Sequence, residues 1–498
     1  MKTPLICMTL TGTTLEEDLL LAKKYEKQTD IVELRVDYLK EEEQLYVRRF
    51  PALIKQPCLL TIRRDIDGGK FNGSEFSRTN LFGRALAFAN TDKTRNFAYV
   101  DFEEDYQVPG IQDSAQAFGV RIIRSYHNMT GPVKNLKERC NQMRKTGFEI
   151  PKIAFMPSSL SDVTNLFYEG QLIDYDHILV AMGPEGQPSR ILSAFSDSYL
   201  TYVSPQELLK NTNAIGQTDP VELSELYHFK EITKHTSLYG ITGWPLVKTS
   251  SPQIHNSGYK RQGLDAVYFP MRSKNISDAL SFAEKMGVAG MSVTIPHKES
   301  VLYYLHEESQ DVEQIGACNT IVRKNNKWLG YNTDAPGFKR ALLEFTAGQK
   351  LKRMKVAVIG AGGAAKAIVY VLKQLGCRVC IFNRTLENAR KLAEKYGFEY
   401  CQLEPKSINI LSEYSSLIIQ TTSVGMNSEE SSSEENDPIY FYDFQGKEMI
   451  FDIVYVPSET PVMKRAKKAG CKTCNGYKML EYQGFEQYKL FTGKNYEE

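Results

Sequence analysis

No run of apolar residues in this chain is long enough to read as a membrane span, which takes about 20 consecutive apolar residues. Nor is there an excess of charge of either sign: 61 Lys and Arg stand against 60 Asp and Glu, a formal net charge of +1. Without a basic excess there is no electrostatic footprint for nucleic acid and no polybasic surface for lipid. The start M-K-T-P-L-I-C-M-T-L turns apolar at once and meets charged, helix-like residues by Glu16. No signal peptide of ordinary length fits that pattern, and the cytoplasm is the expected compartment. These exclusions leave small-molecule chemistry, with no nucleic-acid or membrane partner, as the function class to look for.

What is present is the make-up of a globular protein, 42% hydrophobic and 24% charged. At 498 residues the chain is too long for one ordinary core. Nine cysteines include the pairs Cys377-x-x-Cys380 and Cys471-x-x-Cys474, a spacing that zinc sites use. The first pair falls in an expected strand, where cysteine is a common small core residue, and the second has no histidine neighbour. No metal site is expected.

Through residue 204 the chain repeats one unit: a short apolar run, a polar turn, a helix-like stretch. The runs are 5–9, 31–36, 58–62, 97–102, 121–126, 152–156, 178–182 and 200–203. Strand and helix in alternation point to parallel pairing, and eight units fit a closed (β/α)8 barrel, with a doubly wound open sheet as the alternative. Barrel enzymes place their chemistry at the C-terminal strand ends. Those ends hold Glu33 and Arg35 on one face of the second run, then Arg63 to Gly69, Ser125-Tyr126-His127 and the stretch up to Arg190. Lys152 opens the sixth run. A lysine there is either a rim charge or an amine held in a low-polarity interior as a carbonyl nucleophile. With one histidine, two carboxylates and several arginines beside it, the set is a parts list for Schiff-base chemistry on an anionic keto acid.

The motifs E-L-R-V-D, T-I-R-R-D-I-D-G-G, S-Y-H-N, P-K-I-A and M-G-P-E-G-Q-P-S-R, followed by A-I-G-Q, resemble type I 3-dehydroquinate dehydratase over residues 1–228. The resemblance implies that Lys152 forms the imine with the C3 ketone and that His127 shuttles the C2 proton and assists departure of the C1 hydroxyl. It further implies that Asp67 orients His127 and that Arg190 clamps the substrate carboxylate. Thr9, Glu33, Arg35, Arg63, Asn213 and Gln217 would complete the substrate site. Asp67 and Asn213 stand where the family commonly has Glu and Ser.

A polar stretch at 229–237 reads as a linker, after which Leu238 begins a fresh strand into a glycine turn. Loops at 249–252, 290–298, 316–320 and 330–334 each put a hydroxyl, amide or charge just after a short strand, as a substrate domain facing a cofactor would. Lys298 and Asp334 are candidates to supply a proton to a new alkoxide, against the plainer reading of a surface ion pair. Val356 to Ala367 then reads V-A-V-I-G-A-G-G-A-A-K-A, an apolar strand ending in Gly360-x-Gly362-x-x-Ala365. Such a turn lets a dinucleotide pyrophosphate rest on a helix N-terminus. Where an NAD site usually carries an acid for the ribose 2′-hydroxyl, the chain has Asn383-Arg384-Thr385, which suits a 2′-phosphate and hence NADP.

The ordered set Y-G-I-T-G-W-P, S-S-P-Q-I-H-N, S-V-T-I-P-H-K-E, G-A-C-N-T, G-Y-N-T-D, G-A-G-G-A-A-K-A, N-R-T, T-T-S-V-G-M and N-G-Y-K-M-L-E-Y-Q is similar to shikimate dehydrogenase. That similarity implies catalytic Lys298 and Asp334. It implies shikimate contacts from Thr249, Ser251, Thr294, Asn319, Tyr455 and Gln483, with Gln483 on a terminal helix returning to the substrate domain. It implies NADP contacts from Gly360, Ala361, Gly362, Gly363, Ala364, Asn383, Arg384, Thr385, Met426, Ile453 and Gly476. Thr249, Ser292 and Asn388 depart from the residues that many relatives carry.

The expected architecture is therefore α/β: a TIM barrel at 1–228, a linker at 229–237, a shikimate-binding domain at 238–335, an NADP-binding Rossmann domain at 336–472 and a C-terminal helix at 473–498. The chain resembles the fused dehydroquinate dehydratase and shikimate dehydrogenase family. Dehydroquinate would lose water in the barrel, and 3-dehydroshikimate would be reduced to shikimate by NADPH in the second module, two steps toward aromatic amino acids. A monomer or weak homodimer is expected. The rivals are a quinate-preferring dehydrogenase with a dehydratase module and a non-catalytic ligand sensor on the same folds.

Overall fold

The computed structural model of the chain describes residues 3–87, 90–209, 216–246, 249–426, 428 and 431–497. They form two compact units: residues 1–240 with 263–288, and residues 241–262 with 289–498.

The first unit holds eight parallel strands: β1 (Leu5–Leu10), β2 (Ile31–Arg35), β3 (Cys58–Thr61), β4 (Phe97–Glu103), β5 (Arg121–Asn128), β6 (Ile150–Phe155), β7 (Ile178–Ala181) and β8 (Leu200–Val203). Each pairs with its sequence neighbour, and β8 pairs with β1, giving the order β7-β6-β5-β4-β3-β2-β1-β8. Between β7 and β8 the barrel is joined by the Tyr199 N–H to the His177 carbonyl at 2.6 Å and by the Leu179 N–H to Ser198 Oγ at 3.4 Å. The barrel expectation holds, with that seam and a register shift between Cys58 and Leu59 in the β3–β4 pairing as its irregularities among the described strands. Inside, Cys7, Ile31, Leu59, Tyr99, Ile123, Ile150, Ile178 and Leu200 form an apolar layer, one residue from each strand. Because a strand returns to the same face every second residue, the next inward layer is Thr9, Glu33, Thr61, Asp101, Ser125, Lys152, Val180 and Tyr202. Six of those eight are polar or charged, so an apolar floor carries a polar chamber. β6 starts at Ile150, two residues before the apolar run read from sequence. Lys152 is accordingly an interior position, 5% exposed, and not the first residue of its strand.

Segment 263–288 contributes β10 (Ala266–Arg272), following β9 (Ser237–Gly243), and the helix Ile276–Met286. Phe282 of that helix lies against Phe167 of the barrel helix Leu160–Gly170, their ring centroids 6.5 Å apart.

In the second unit β11 (Gly290–Val293) runs antiparallel to β13 (Thr320–Lys324), which runs antiparallel to β14 (Lys327–Tyr331); β12 (Glu307–Glu308) lies parallel to β14. Asn325 and Asn326 form the β13–β14 turn with φ of 49° and 60°, the left-handed conformation that a two-residue hairpin turn needs. The antiparallel pairing brings the end of β11, the start of β13 and the end of β14 to one edge. A parallel sheet follows: β15 (Lys355–Ile359), β16 (Arg378–Asn383), β17 (Glu399–Gln402), β18 (Leu417–Gln420), β19 (Met449–Asp452) and β20 (Lys472–Cys474). Their order, β17-β16-β15-β18-β19-β20, is that of a dinucleotide-binding sheet, with the switch point between β15 and β18. Cys377 and Cys380 pack into the apolar layers on opposite faces of this sheet. Among the described residues no group of His, Cys, Asp and Glu is placed to hold a metal.

Asp452, at the end of β19, is fully buried; its carboxyl accepts from the Val454 N–H at 2.9 Å and Thr460 Oγ1 at 2.7 Å. Burial pushes its pKa up to about 7. The folded chain therefore binds this proton more tightly than the unfolded chain, whose Asp titrates near 4, so this residue's contribution to stability falls as pH rises from about 4 to 7. Asp452→Asn flattens that slope, seen as a smaller loss of melting temperature between those pH values for the transition of the second unit.

Candidate functional sites

The barrel chamber opens into a cleft with about 710 Å³ of atom-free space, and Thr9, Glu33, Arg35, Arg63, Asp67, His127, Lys152, Arg190 and Gln217 all line it. These residues come from four strands, β1, β2, β5 and β6, and from the segments after β3, β7 and β8. Asn213 lies outside the described residues.

Asp101 organises the floor of the cleft. One of its oxygens accepts from Lys152 Nζ at 3.0 Å and pairs with Arg63 at 2.7 Å, and the other accepts from Ser125 Oγ. Arg63, then Lys152, hold its carboxyl far below the usual carboxylate range in spite of burial. Arg63 also donates to Glu103 at 3.1 Å. Arg35 is held by Asp37 through two bonds of 2.9 and 2.7 Å, and Glu33 accepts from Thr9 and Thr61, both at 2.8 Å. The Lys152 amine lies over the Tyr202 ring, 4.4 Å from its centroid.

Against these satisfied groups stand five buried polar atoms with no hydrogen-bond partner among the described residues: Thr11 Oγ1, His127 Nδ1, Arg190 Nε, Tyr202 Oη and Gln217 Oε1. All five residues line the cleft. Buried polar groups are rarely left unpaired, so a convergent set of them is the imprint of a polar ligand. Arg190 is 3% exposed, yet it has no carboxylate partner among the described residues, and burial pushes its pKa down to about 10. An anion is what that guanidinium lacks. Burial, with the Arg63 and Lys152 charges, holds the His127 pKa well below its ordinary value, leaving a neutral ring that can accept a proton. Asp67 reaches the cleft, but its carboxylate accepts from Arg64 Nε at 2.6 Å, and Asp67 and His127 share no hydrogen bond among the described contacts.

The second unit builds its site at the edge where three strand ends meet. Lys298 donates to Asp334 Oδ2 at 2.5 Å. Asn319, just before β13, donates to Asp334 Oδ1 at 2.9 Å and Thr333 Oγ1 at 3.0 Å. The helix Tyr477–Thr492 packs against the helix Asp334–Phe345 at Gly337, where a Cβ would sit 2.6 Å from the Gln483 nitrogen. That close approach sets Gln483 Oε1 at 3.4 Å from Asn319 Nδ2. Thr249 and Ser251 are linked at 3.1 Å, and Thr294 is fixed through its N–H to the Thr242 carbonyl at 2.9 Å. Tyr455 is half-buried, with no side-chain hydrogen bond among the described contacts. Ser292 donates to buried Gln487 at 2.8 Å.

The glycine turn adjoins this edge. Gly360 has a φ of +110° and lies so close to Thr421 that a Cβ would meet its Oγ1 at 2.6 Å. The helix Gly363–Gln374 starts with no side-chain cap, which leaves its first N–H groups for a ligand. A Cβ at Gly362 would meet open space, whereas one at Gly363 would sit 3.3 Å from Lys298 Cδ. Ala361 and Ala364 are half-buried beside them, and Gly476 lies under the Ile453 carbonyl. Asn383 donates to the Thr385 carbonyl at 2.9 Å; Arg384 is exposed and has no ion-pair partner among the described residues. Met426 is exposed as well.

The type I 3-dehydroquinase family model matches residues 6–234, the shikimate dehydrogenase substrate-binding domain 241–321 and the shikimate/quinate 5-dehydrogenase model 342–457. Across 98% of its length the chain is 32% identical to an Arabidopsis thaliana protein named bifunctional 3-dehydroquinate dehydratase/shikimate dehydrogenase, chloroplastic, and covers 82% of it. The chain belongs to the bifunctional 3-dehydroquinate dehydratase/shikimate dehydrogenase family. It is also 37% identical over 264 residues to the shikimate dehydrogenase (NADP(+)) of Pyrococcus furiosus, a match covering 53% of this chain and 93% of that one. A solved dehydroquinate dehydratase and shikimate dehydrogenase from S. pombe is 25% identical, covering 99% of this chain and 97% of that one, with a TM-score of 0.42.

In this bifunctional enzyme the sequence reading overlooked Asp101, Glu103 and Tyr202. The pattern D-x-E inside the apolar run F-A-Y-V-D-F-E was the available signal, since two acids two apart share one strand face. Asp101→Asn removes the anion between two buried cations. It is expected to cost about 3 kcal/mol of stability, read by denaturant unfolding, and to lower dehydratase turnover at least about tenfold.

Proposed function

We propose that the chain carries out its two reactions at these two sites, with 3-dehydroquinate bound in the barrel cleft and 3-dehydroshikimate beside Lys298. The observation that carries the first assignment is the convergence of unpartnered buried atoms, Arg190 among them, on the cleft that holds Lys152. Arg190 takes the substrate carboxylate. The Lys152 amine adds to the C3 ketone and the adduct loses water, giving an iminium beside the Tyr202 ring and Asp101. His127 takes the C2 proton while the C–H electron pair moves into the iminium to give an enamine; the enamine then expels the C1 hydroxyl, which receives the proton from His127 and leaves as water, restoring the iminium. Hydrolysis of the imine frees 3-dehydroshikimate and restores Lys152. Thr9, Glu33, Arg35, Arg63 and Gln217 shape the site around the substrate hydroxyls. Asp67, with Asn213, belongs to the same set by family resemblance, and Asp67 acts from its position on Arg64.

At the second site Thr249, Ser251, Thr294, Asn319, Tyr455 and Gln483 hold the substrate, while Lys298 gives a proton to the carbonyl oxygen as it becomes an alkoxide and Asp334 holds the ammonium in place. NADP fits the residues present: an uncapped helix start at Gly360, Ala361, Gly362, Gly363 and Ala364, and Arg384, without an ion-pair partner among the described residues, between Asn383 and Thr385 for a 2′-phosphate; Met426, Ile453 and Gly476 would complete the hold on it. When bound, the reduced nicotinamide supplies the hydride equivalent that the carbonyl carbon needs.

In this reading residues 1–228 form the dehydratase, 229–237 the linker, 238–335 the shikimate-binding domain, 336–472 the NADP-binding domain and 473–498 the returning helix. The protein works in the cytoplasm as a monomer or weak homodimer on small molecules; no helix of the described residues is long and apolar enough to cross a membrane. The test is direct: dehydroquinate plus NADPH gives a steady fall in nicotinamide absorbance and accumulates shikimate. No absorbance change with dehydroquinate, together with none on adding 3-dehydroshikimate, would overturn the reading.

A further inference from the structure

Residues 263–288 lie inside the span matched by the shikimate dehydrogenase substrate-binding model, yet they pack in one compact unit with the barrel. Two side chains of this segment, Asp278 and Arg272, make polar contacts to the loops after β6 and β7. The Asp278 carboxylate accepts from the N–H groups of Leu160 and Ser161 at 2.9 and 3.2 Å and from Ser161 Oγ at 3.0 Å, capping the helix that follows the strand of Lys152. Arg272 NH1 donates to Gln187 Oε1 and, at the longer distance of 3.5 Å, to the Pro184 carbonyl of the same loop. Gln187 opens the short helix Gln187–Ile191 that carries Arg190, and its Nε2 donates to Thr218 Oγ1 at 3.4 Å, next to Gln217. One side-chain amide therefore joins Arg272 to the two backbone segments bearing Arg190 and Gln217. Both of those side chains have an unpartnered buried atom at the cleft.

We infer that Arg272 is a positioning residue of the dehydratase site, acting through Gln187 on Arg190 and Gln217, so that a residue encoded within the dehydrogenase half tunes dehydroquinate binding. The inference rests on the proposed role of Arg190 as carboxylate receptor. Arg272 touches neither Lys152 nor His127 among the described contacts, so the chemistry of the imine is untouched and the effect falls on binding.

The experiment uses the full chain. Arg272→Ala and Gln187→Leu each raise the dehydratase KM about tenfold, equivalent to about 1.4 kcal/mol, with kcat within about twofold of the parent. Arg272→Lys, which keeps a donor for Gln187, recovers most of the parent KM. The double variant is no worse than the worse single variant, because both remove one link. Dehydrogenase kcat and KM for shikimate stay at parent values. A parent-like dehydratase KM in both single variants, additive effects in the double variant, or equal losses in both activities would overturn the positioning role. If Arg272→Ala fails to fold, Gln187→Leu and Arg272→Lys carry the same comparison. A parent protein without dehydroquinate turnover would instead strike the functional reading on which the inference stands.

Discussion

Lys152→Ala lowers dehydroquinate turnover by more than about a thousandfold, equivalent to about 4 kcal/mol of transition-state stabilisation, and abolishes the adduct that borohydride traps in the parent protein. Lys152 is the lysine among the described residues that line the cleft, and imine formation needs a primary amine, which guanidinium groups cannot provide. The ion pair with Asp101 makes charge loss a competing explanation. Lys152→Arg separates the two: it keeps a cation for Asp101 and still gives no trapped adduct. Full trapping in either variant, read as a mass increment on the intact chain, would show that another group carries the ketone. Shikimate oxidation stays at the parent rate in both.

Lys298→Met lowers dehydrogenase kcat by about 100- to 10,000-fold, the usual worth of a positioned proton donor. Methionine keeps an unbranched stem to lie where the lysine methylenes meet Gly363, so the change removes the ammonium with little alteration of packing. The KM for shikimate moves less than kcat, since Thr249, Ser251, Asn319 and Gln483 make no direct bond to the Lys298 amine among the described contacts. Dehydratase activity is unchanged. A kcat within tenfold of the parent, measured with saturating cofactor, would remove Lys298 from the proton path.

The eight barrel strands were legible because each alternates between a barrel interior and a helical layer, and the alternation survives in short apolar runs such as 31–36 and 178–182. Strand starts were less so. Ile150-Pro151 looks like the end of a loop, since proline lacks a donor, and only the pairing with β5 shows that the strand begins there. The Rossmann turn was legible because strand, glycines and helix lie in one continuous stretch. Asp101 was hidden for the opposite reason: its partners Ser125 and Lys152 come from two other strands and Arg63 from the segment after a third, and a carboxylate in an alternating strand reads as a solvent-facing position until the barrel closes. Arg35 shows a second kind of hidden partner: it lines the cleft, and two further bonds fix its guanidinium to Asp37, two residues away. The packing of 263–288 with the barrel had no local signal, because helix Ile276–Met286 has the amphipathic pattern of any surface helix.

The seam between β7 and β8 gives the dehydratase a direction in which to yield. Arg190 follows β7, while Tyr202 lies on β8 and Gln217 in the loop beyond it, so the groups facing the substrate carboxylate stand on the two banks of the join. Elsewhere around the barrel, sliding one strand past the next would tear a ladder of amide bonds. Here one backbone bond and one hydroxyl contact join the strands themselves, and the remaining links are side-chain bonds, Thr201 Oγ1 to the Arg190 carbonyl at 3.1 Å, Arg190 to the Tyr202 carbonyl at 3.4 Å and Gln187 to Thr218 at 3.4 Å, which can re-aim without breaking a ladder.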